Sequence, residues 1–138
     1  MKRKNSLIQL LQIPKILDDC YLYFAQTPQH IPFRIKRIYY ITNADVRLSR
    51  GLHAHKKTKQ VIFCISGSIK LILDNGRKRE EIVVDQPNTG IFLDKMIWHE
   101  MTGFKKNTIL LIIASEKFDP ADYIRQYEEF KKKAFTIS

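Results

Sequence analysis

Gly51-Leu-His-Ala-His-Lys-Lys-Thr-Lys-Gln-Val-Ile-Phe-Cys-Ile-Ser-Gly67 is the stretch from which the rest of the chain is read. His53 and His55 stand two apart, so on a β-strand both imidazoles leave one face while Leu52 and Ala54 leave the other. Two titratable rings then share one pocket, where they can hold a metal, move protons or bind an anion. Gln60 opens an apolar run, Val61 to Ile65, that closes at Ser66-Gly67 as a strand closes at a turn.

Outward from this segment, short β-prone runs recur at Leu7 to Ile13, Tyr21 to Ala25, Phe33 to Thr42, Leu52 to Lys56, Val61 to Ile65, Ile69 to Leu73, Glu81 to Val84, Gly90 to Leu93, Trp98 to Met101 and Thr108 to Ala114. Such spacing between turn signals predicts an all-β sandwich or barrel. Asp74-Asn75-Gly76 is a hairpin signal because Asn and Gly accept positive φ. Asp85-Gln86-Pro87-Asn88 and Thr102-Gly103 are further turns, and Pro28 to Pro32 excludes regular helix. Only the tail reads as helical, over residues 119–134. Asp119 is placed as N-cap, Pro120 at the first helical position and Asp122 as an acid in the first turn, with Tyr123, Ile124, Tyr127 and Phe130 along one side.

A chain of 138 residues, 44% hydrophobic, has enough apolar material for one core, so residues 1–138 are read as a single domain. Leu7 to Leu17 is interrupted by Gln9, Gln12, Pro14 and Lys15, which excludes a secretory core segment, and no stretch reaches the length of a membrane span. A cytoplasmic location is expected. Cys20 and Cys64 have no CxxC partner, which fits reduced thiols. The net charge of +10 calls for an anionic partner or for solubility. Its lysines and arginines lie in short separate groups (Lys2 to Lys4, Lys56 to Lys59, Arg77 to Arg79, Lys105 and Lys106, Lys131 to Lys133), with no nucleic-acid-binding signature, so a small anionic ligand is expected and nucleic acid is not.

The run Phe33 to Thr42 has mixed faces. Phe33, Ile35, Arg37, Tyr39 and Ile41 point one way, and Arg34, Lys36, Ile38, Tyr40 and Thr42 the other. Either face can meet a phosphate or a ring-shaped ligand, since Arg offers a fork of donors and Tyr a hydroxyl on an apolar plate.

Gly51 through Gly67 resembles the first cupin motif, with Gln60 where metal-binding cupins carry glutamate. Phe92-Leu-Asp-Lys-Met-Ile-Trp-His99 is similar to the second, with Asp94 and Met96 replacing its usual proline and glycine. The resemblance implies a jelly roll with a C-terminal α-helix. Four blocks resemble the dTDP-4-oxo-6-deoxy-glucose 3,4-ketoisomerases more closely: Ile31-Pro-Phe-Arg-Ile-Lys-Arg-Ile-Tyr-Tyr-Ile41, Arg50-Gly-Leu-His-Ala-His-Lys-Lys57, Trp98-His-Glu-Met101 and Asp122-Tyr-Ile-Arg-Gln-Tyr127. That family implies a metal-independent enzyme with no cofactor, acting on a dTDP-linked 4-oxo-6-deoxy sugar. It also implies a homodimer that exchanges strands of residues 1–25.

Moving a ketone from C4 to C3 requires a base at C3, an enediol and an acid at C4, and histidine does both near neutrality. By resemblance His55 is the proton-shuttling base and His53 its close partner, with Tyr39 or Tyr40 polarising a sugar oxygen. Arg50, Arg37, Lys56 and Trp98 are expected to bind substrate. His99 is expected to set the C4 configuration, since histidine after the tryptophan goes with the galacto product and arginine with the gluco product. Cys20 stands where the family carries an arginine. The competing readings are a metal site built from His53, His55, Gln60 and His99, and a cupin that binds a sugar nucleotide without turnover.

Overall fold

The structure is a computed structural model that describes residues 6–137. The basic group Lys2 to Lys4 lies outside the described residues. The chain runs β1 (Gln9–Gln12), β2 (Lys15–Leu17), β3 (Tyr21–Tyr23), β4 (Arg37–Ile41), β5 (Arg50–His55), β6 (Gln60–Ser66), β7 (Ile69–Asp74), β8 (Arg79–Val84), β9 (Thr89–Leu93), β10 (Trp98–Thr102), β11 (Ile109–Ala114), β12 (Tyr123–Ile124) and α1 (Tyr127–Ile137). Two five-stranded antiparallel sheets, ordered β1-β9-β6-β11-β4 and β12-β5-β10-β7-β8, face each other, and β2 pairs only with β3. This is the expected jelly roll with its C-terminal helix. Among the described residues no helix is long and apolar enough to cross a membrane.

Every β-prone run of the sequence became a strand, trimmed or extended by a few residues. β6 shows why its sequence is an apolar run and not an alternation. Ile62 and Cys64 enter the core between the sheets beside Leu71, Leu93, Leu110 and Ile112. Val61 and Phe63 enter a second core outside that sheet, roofed by Ile13, Ile31, Tyr23 and Phe33 of the amino-terminal segment. A strand buried on both faces has no polar side to show. At its end Gly67 has φ +82°, and a Cβ there would lie 2.2 Å from Thr108 Oγ1, so only glycine fits. Asn75-Gly76 makes the expected β7–β8 turn, with Gly76 at φ +93° and its N–H donating to Asp74 Oδ1.

The tail corrects the sequence reading. Instead of one helix over residues 119–134, a short 3₁₀ turn spans Pro120–Asp122, β12 follows, and α1 begins only at Tyr127. Asp119 does cap, accepting from the Ala121 N–H at 3.0 Å, but it caps that turn. Tertiary contacts account for the difference. Asp122 is buried and accepts three hydrogen bonds, and Tyr123 and Ile124 pair with His55 and Ala54 of β5. Hydrogen bonds to a charged group are each worth about 1.5–3 kcal/mol, whereas helix propensity differences among ordinary residues reach only about 0.7 kcal/mol per residue. Phe130 of α1 then packs on Trp98, Ala54 and Ile124, closing a third core outside the second sheet.

The amino-terminal strands divide. β1 is hydrogen-bonded to β9 of its own chain, from Gln9 opposite Phe92 to Gln12 opposite Thr89. The β2–β3 hairpin leaves Ile16, Leu17, Tyr21 and Leu22 exposed.

Candidate active site

β5 lies between β10 and β12, and this position assembles the site. His53 sits opposite His99 on β10, and Tyr123 of β12 sits opposite His55. A bulge leaves Leu52 as the extra residue between the pairs His99–His53 and Glu100–Gly51. Gly51 at φ +83° and Leu52 at φ +57° carry the bend. A Cβ on Gly51 would approach His99 Cδ2 to 3.2 Å, so the glycine lets the third imidazole lie flat against the backbone. Leu52 is consequently exposed, while Ala54 is buried in the third core.

The three imidazoles form one cluster. Ring centroids of His53 and His99 are 4.5 Å apart, those of His53 and His55 4.8 Å, and those of His55 and His99 6.1 Å. His53 Nδ1 meets the Gly51 carbonyl at 2.8 Å, and the Nε2 atoms of His53 and His55 are 3.2 Å apart. His55 Nδ1 meets Asp122 Oδ2 at 2.9 Å. Asp122 also accepts from the Thr58 hydroxyl and, at 2.7 Å, from the Lys57 N–H. Burial works to raise the Asp122 pKa, but these donors outweigh it and hold the carboxyl below its usual range, so Asp122 is an anion. Burial acts the other way on imidazoles, lowering His53 to about 4 and lowering His55, where Asp122 resists. His99 is fully enclosed and its pKa lies well below the ordinary value, first from burial and then from its two neighbours. A loose contact with the Ile97 backbone works against that shift without prevailing. Its Nδ1 is buried without a well-formed hydrogen bond among the described residues.

Around the cluster stands an aromatic and cationic wall. Tyr123 packs on both His53 and His55, at 4.8 and 4.5 Å between centroids, and Arg125 lies 4.4 Å above the Tyr123 ring. Arg37 stacks on Tyr39 and Phe118, and Phe118 packs on Tyr123. Gln60 donates its amide to Tyr39 Oη at 2.6 Å. Burial pushes the Tyr39 phenol up to about 12, so it stays protonated and its O–H remains available to donate. The faces predicted for β4 hold, since Arg37, Tyr39 and Ile41 are turned inward and Ile38 and Tyr40 outward.

The structure brings together His53, His55, His99, Tyr39 and Arg37, and places four other expected residues elsewhere. Tyr40 is 71% exposed and, with Arg50, lines a separate open cleft of about 430 Å³ between β4 and β5. Lys56 has an exposed side chain, and its backbone N–H donates to the Asp122 carbonyl. Trp98 alternates with His99 and so faces away, packing on Tyr127 and Phe130 and donating to Glu100. Sequence reasoning missed Asp122, Thr58, Tyr123 and Arg125. The fourth resemblance block spans Asp122, Tyr123 and Arg125, yet its local pattern reads as helix, and nothing near Asp122 names a partner 67 residues away. Among the described residues no three side chains of His, Cys, Asp or Glu are disposed to hold a metal ion.

Comparison with known proteins gives a consistent result. A profile of the FdtA family (WxcM-like, C-terminal) matches residues 4–134. The TDP-4-oxo-6-deoxy-alpha-D-glucose-3,4-oxoisomerase of Aneurinibacillus thermoaerophilus is 41% identical over 125 residues, 90% of each chain. QdtA, a sugar 3,4-ketoisomerase from Thermoanaerobacterium thermosaccharolyticum solved in complex with TDP, superposes with a TM-score of 0.92 at 35% identity, covering 97% of this chain and 98% of that one. A histidine-to-asparagine mutant of QdtA in complex with TDP-4-keto-6-deoxyglucose gives a TM-score of 0.91 at 35% identity over 94% of each chain. The rmlC epimerase of Mycobacterium tuberculosis, 14% identical with a TM-score of 0.73 over 89% of this chain and 72% of that one, shares the fold. Fold and relatives together define a cupin isomerase. The chain belongs to the FdtA family, the TDP-4-oxo-6-deoxyglucose 3,4-ketoisomerases.

His99 offers a direct check on the electrostatics. Because its folded pKa lies far below the unfolded value near 6.5, the unfolded chain binds a proton in this window that the folded chain refuses. Stability therefore rises with pH here and is lost as pH falls below about 6.5. Urea unfolding at about pH 7 and about pH 5 should show His99→Asn losing less stability on acidification than the parent. An equal loss would mean that other groups set the acid limit.

Proposed function

We propose that this chain converts TDP-4-oxo-6-deoxyglucose to the 3-oxo isomer by histidine acid/base catalysis through an enediol, in the synthesis of 3-amino-3,6-dideoxy sugars of surface glycans. The observation that carries the reading is the pair of Nε2 atoms 3.2 Å apart, one ring backed by the Asp122 carboxylate. His55 shuttles the carbon proton and His53 acts beside it. Tyr39, protonated and anchored by Gln60, polarises a sugar oxygen. Arg37, whose buried Nε has no hydrogen-bond partner among the described residues, is assigned to the anionic part of the substrate. Each well-placed proton transfer is worth about 10²- to 10⁴-fold in rate.

Turnover of TDP-4-oxo-6-deoxyglucose in deuterated water should place deuterium at C4 of the product, as NMR would show. Hydride migration would leave C4 unlabelled and end the acid/base reading. His55→Asn should lower kcat by at least about 10²-fold while leaving TDP binding largely intact. Retained activity would remove His55 from the base role.

The C4 configuration we infer is galacto. His99 follows the tryptophan of the second motif, and its ring lies 4.5 Å from that of His53. A neutral imidazole can position or pass a proton, whereas an arginine at this position would stay charged. Product made in ordinary water should show a small coupling between the C4 and C5 protons, as an axial C4 hydroxyl requires. A large coupling would exclude His99 as the determinant.

The assembly we infer is a homodimer that exchanges amino-terminal strands. In the single chain β1 is already paired, so the β2–β3 hairpin, with Ile16, Leu17, Tyr21 and Leu22 exposed, is the part left to add to a partner. Deleting residues 1–25 should give insoluble or inactive protein. A soluble, active, monomeric truncation by sedimentation and assay would refute the exchange.

A further inference from the structure

The hydrogen bonds of the histidine pair fix how many protons it holds. A carbonyl oxygen only accepts, so His53 Nδ1, 2.8 Å from the Gly51 carbonyl, carries a hydrogen. Asp122 is ionised, so His55 Nδ1, 2.9 Å from its Oδ2, carries one too. In neutral rings both Nε2 atoms would then be bare, and two lone pairs would face each other at 3.2 Å. One further proton turns that clash into a hydrogen bond. We propose that Asp122 is a positioning residue that fixes both the tautomer of His55 and the charge of the pair, so that His53 and His55 hold one shared proton between their Nε2 atoms before substrate arrives.

The groups facing the pair are His99 on β10, Arg37 and Tyr39 on β4, Asp122 in the 3₁₀ turn, Tyr123 on β12 and Arg125 beyond it. Arg37 and Arg125 oppose a positive charge on His55, and Asp122 favours it. Burial also opposes it and by itself would leave both rings neutral near pH 7. The lone-pair contact decides against that outcome, because such a coupled pair takes up its first proton as a unit. The bound proton and the Asp122 carboxylate leave the trio electrically neutral.

This inference rests on the isomerase reading for its use, and it deepens that reading. A single stored proton lets the enediol form without net charge. The bare ring, His55, takes the C3 proton while the C3–H electron pair becomes the C3=C4 bond, and cationic His53 protonates the C4 oxygen, which receives the carbonyl π pair. Then His53 takes the C3 hydroxyl proton as the C3 ketone forms, the C3=C4 pair returns to C4, and His55, whose Nε2 proton exchanges with solvent at the enediol stage, protonates C4. His55 ends bare and His53 protonated, as they began.

The test begins without substrate, so its failure is separate from failure of the isomerase reading. In protein labelled with ¹⁵N-histidine, ring-nitrogen NMR at pH 7.5 should show one imidazolium equivalent in the His53–His55 pair and a protonated Nδ1 on both rings, assigned with His53→Asn and His55→Asn. Two neutral rings, a bare Nδ1 on either, or a stoichiometric bound metal would overturn the proposal. Asp122→Asn, which keeps the shape and removes the charge, should abolish the imidazolium signature and lower kcat by at least about 10²-fold with TDP binding unchanged. Thr58→Val should keep the imidazolium signature at pH 7.5 and move its loss to a different pH, since it alters Asp122 without removing it. An imidazolium unaffected by Asp122→Asn would remove Asp122 from the positioning role. Should that variant fail to fold, the wild-type spectrum and the Thr58→Val titration decide.

Discussion

The hydrogen bond from His55 to Asp122 is the contact on which the site depends. It joins a strand in the middle of the chain to a turn near its end, across 67 residues, in an environment where both side chains are nearly out of reach of water. A buried carboxylate is tolerable only when its acceptor capacity is filled, and Thr58 and the Lys57 N–H complete the filling. Removing the carboxylate would orphan those donors, at about 1–3 kcal/mol for each buried group left unsatisfied. The same contact pulls Tyr123 and Ile124 off the helix and onto the edge of β5. One polar group thus sets the orientation of the His55 ring, the course of the tail and the placement of Tyr123.

The second constraint is layering. The core between the sheets holds β6, β7 and β10 in place, while the cores outside them, under the amino-terminal segment and under α1, cover faces that would otherwise meet water. Trp98 illustrates the division of labour. It anchors α1 on one face of β10, and its neighbour His99 joins the imidazoles on the other. Packing and the imidazole cluster occupy alternate residues of a single strand. Gln60 serves in the same manner, buried at the start of β6 with its amide committed to Tyr39.

Much of this was legible in the sequence. Turn residues punctuated the strands, the spacing of His53 and His55 gave one shared face, and the alternation of β4 separated Arg37 and Tyr39 from Ile38 and Tyr40. Strand alternation applied to β10 would also have turned Trp98 away from His99, but proximity to the motif obscured it. The tail was illegible for a different reason. Asp119-Pro120 followed by Tyr123, Ile124, Tyr127 and Phe130 carries a sound local helix signal, and what overrides it is a charge and a strand edge that become visible only when distant residues are brought together. Arg50 and Tyr40 show the complementary limit, since adjacency along the chain placed them beside the site and the fold turned them into a neighbouring cleft.

The order in which the chain supplies the site's parts has its own consequence. His53, His55 and His99 are all present once β11 has been made, but the carboxylate that orients His55 arrives in the 3₁₀ turn after it, and the aromatic ring that covers His55 arrives on β12, the last strand of the second sheet. Most of the β-sheet content and the completed histidine–carboxylate cluster are therefore separate events in the life of one molecule. A ribosome-bound or truncated chain ending before residue 122 carries every histidine of the cluster and still lacks the group that tells His55 which nitrogen to leave bare.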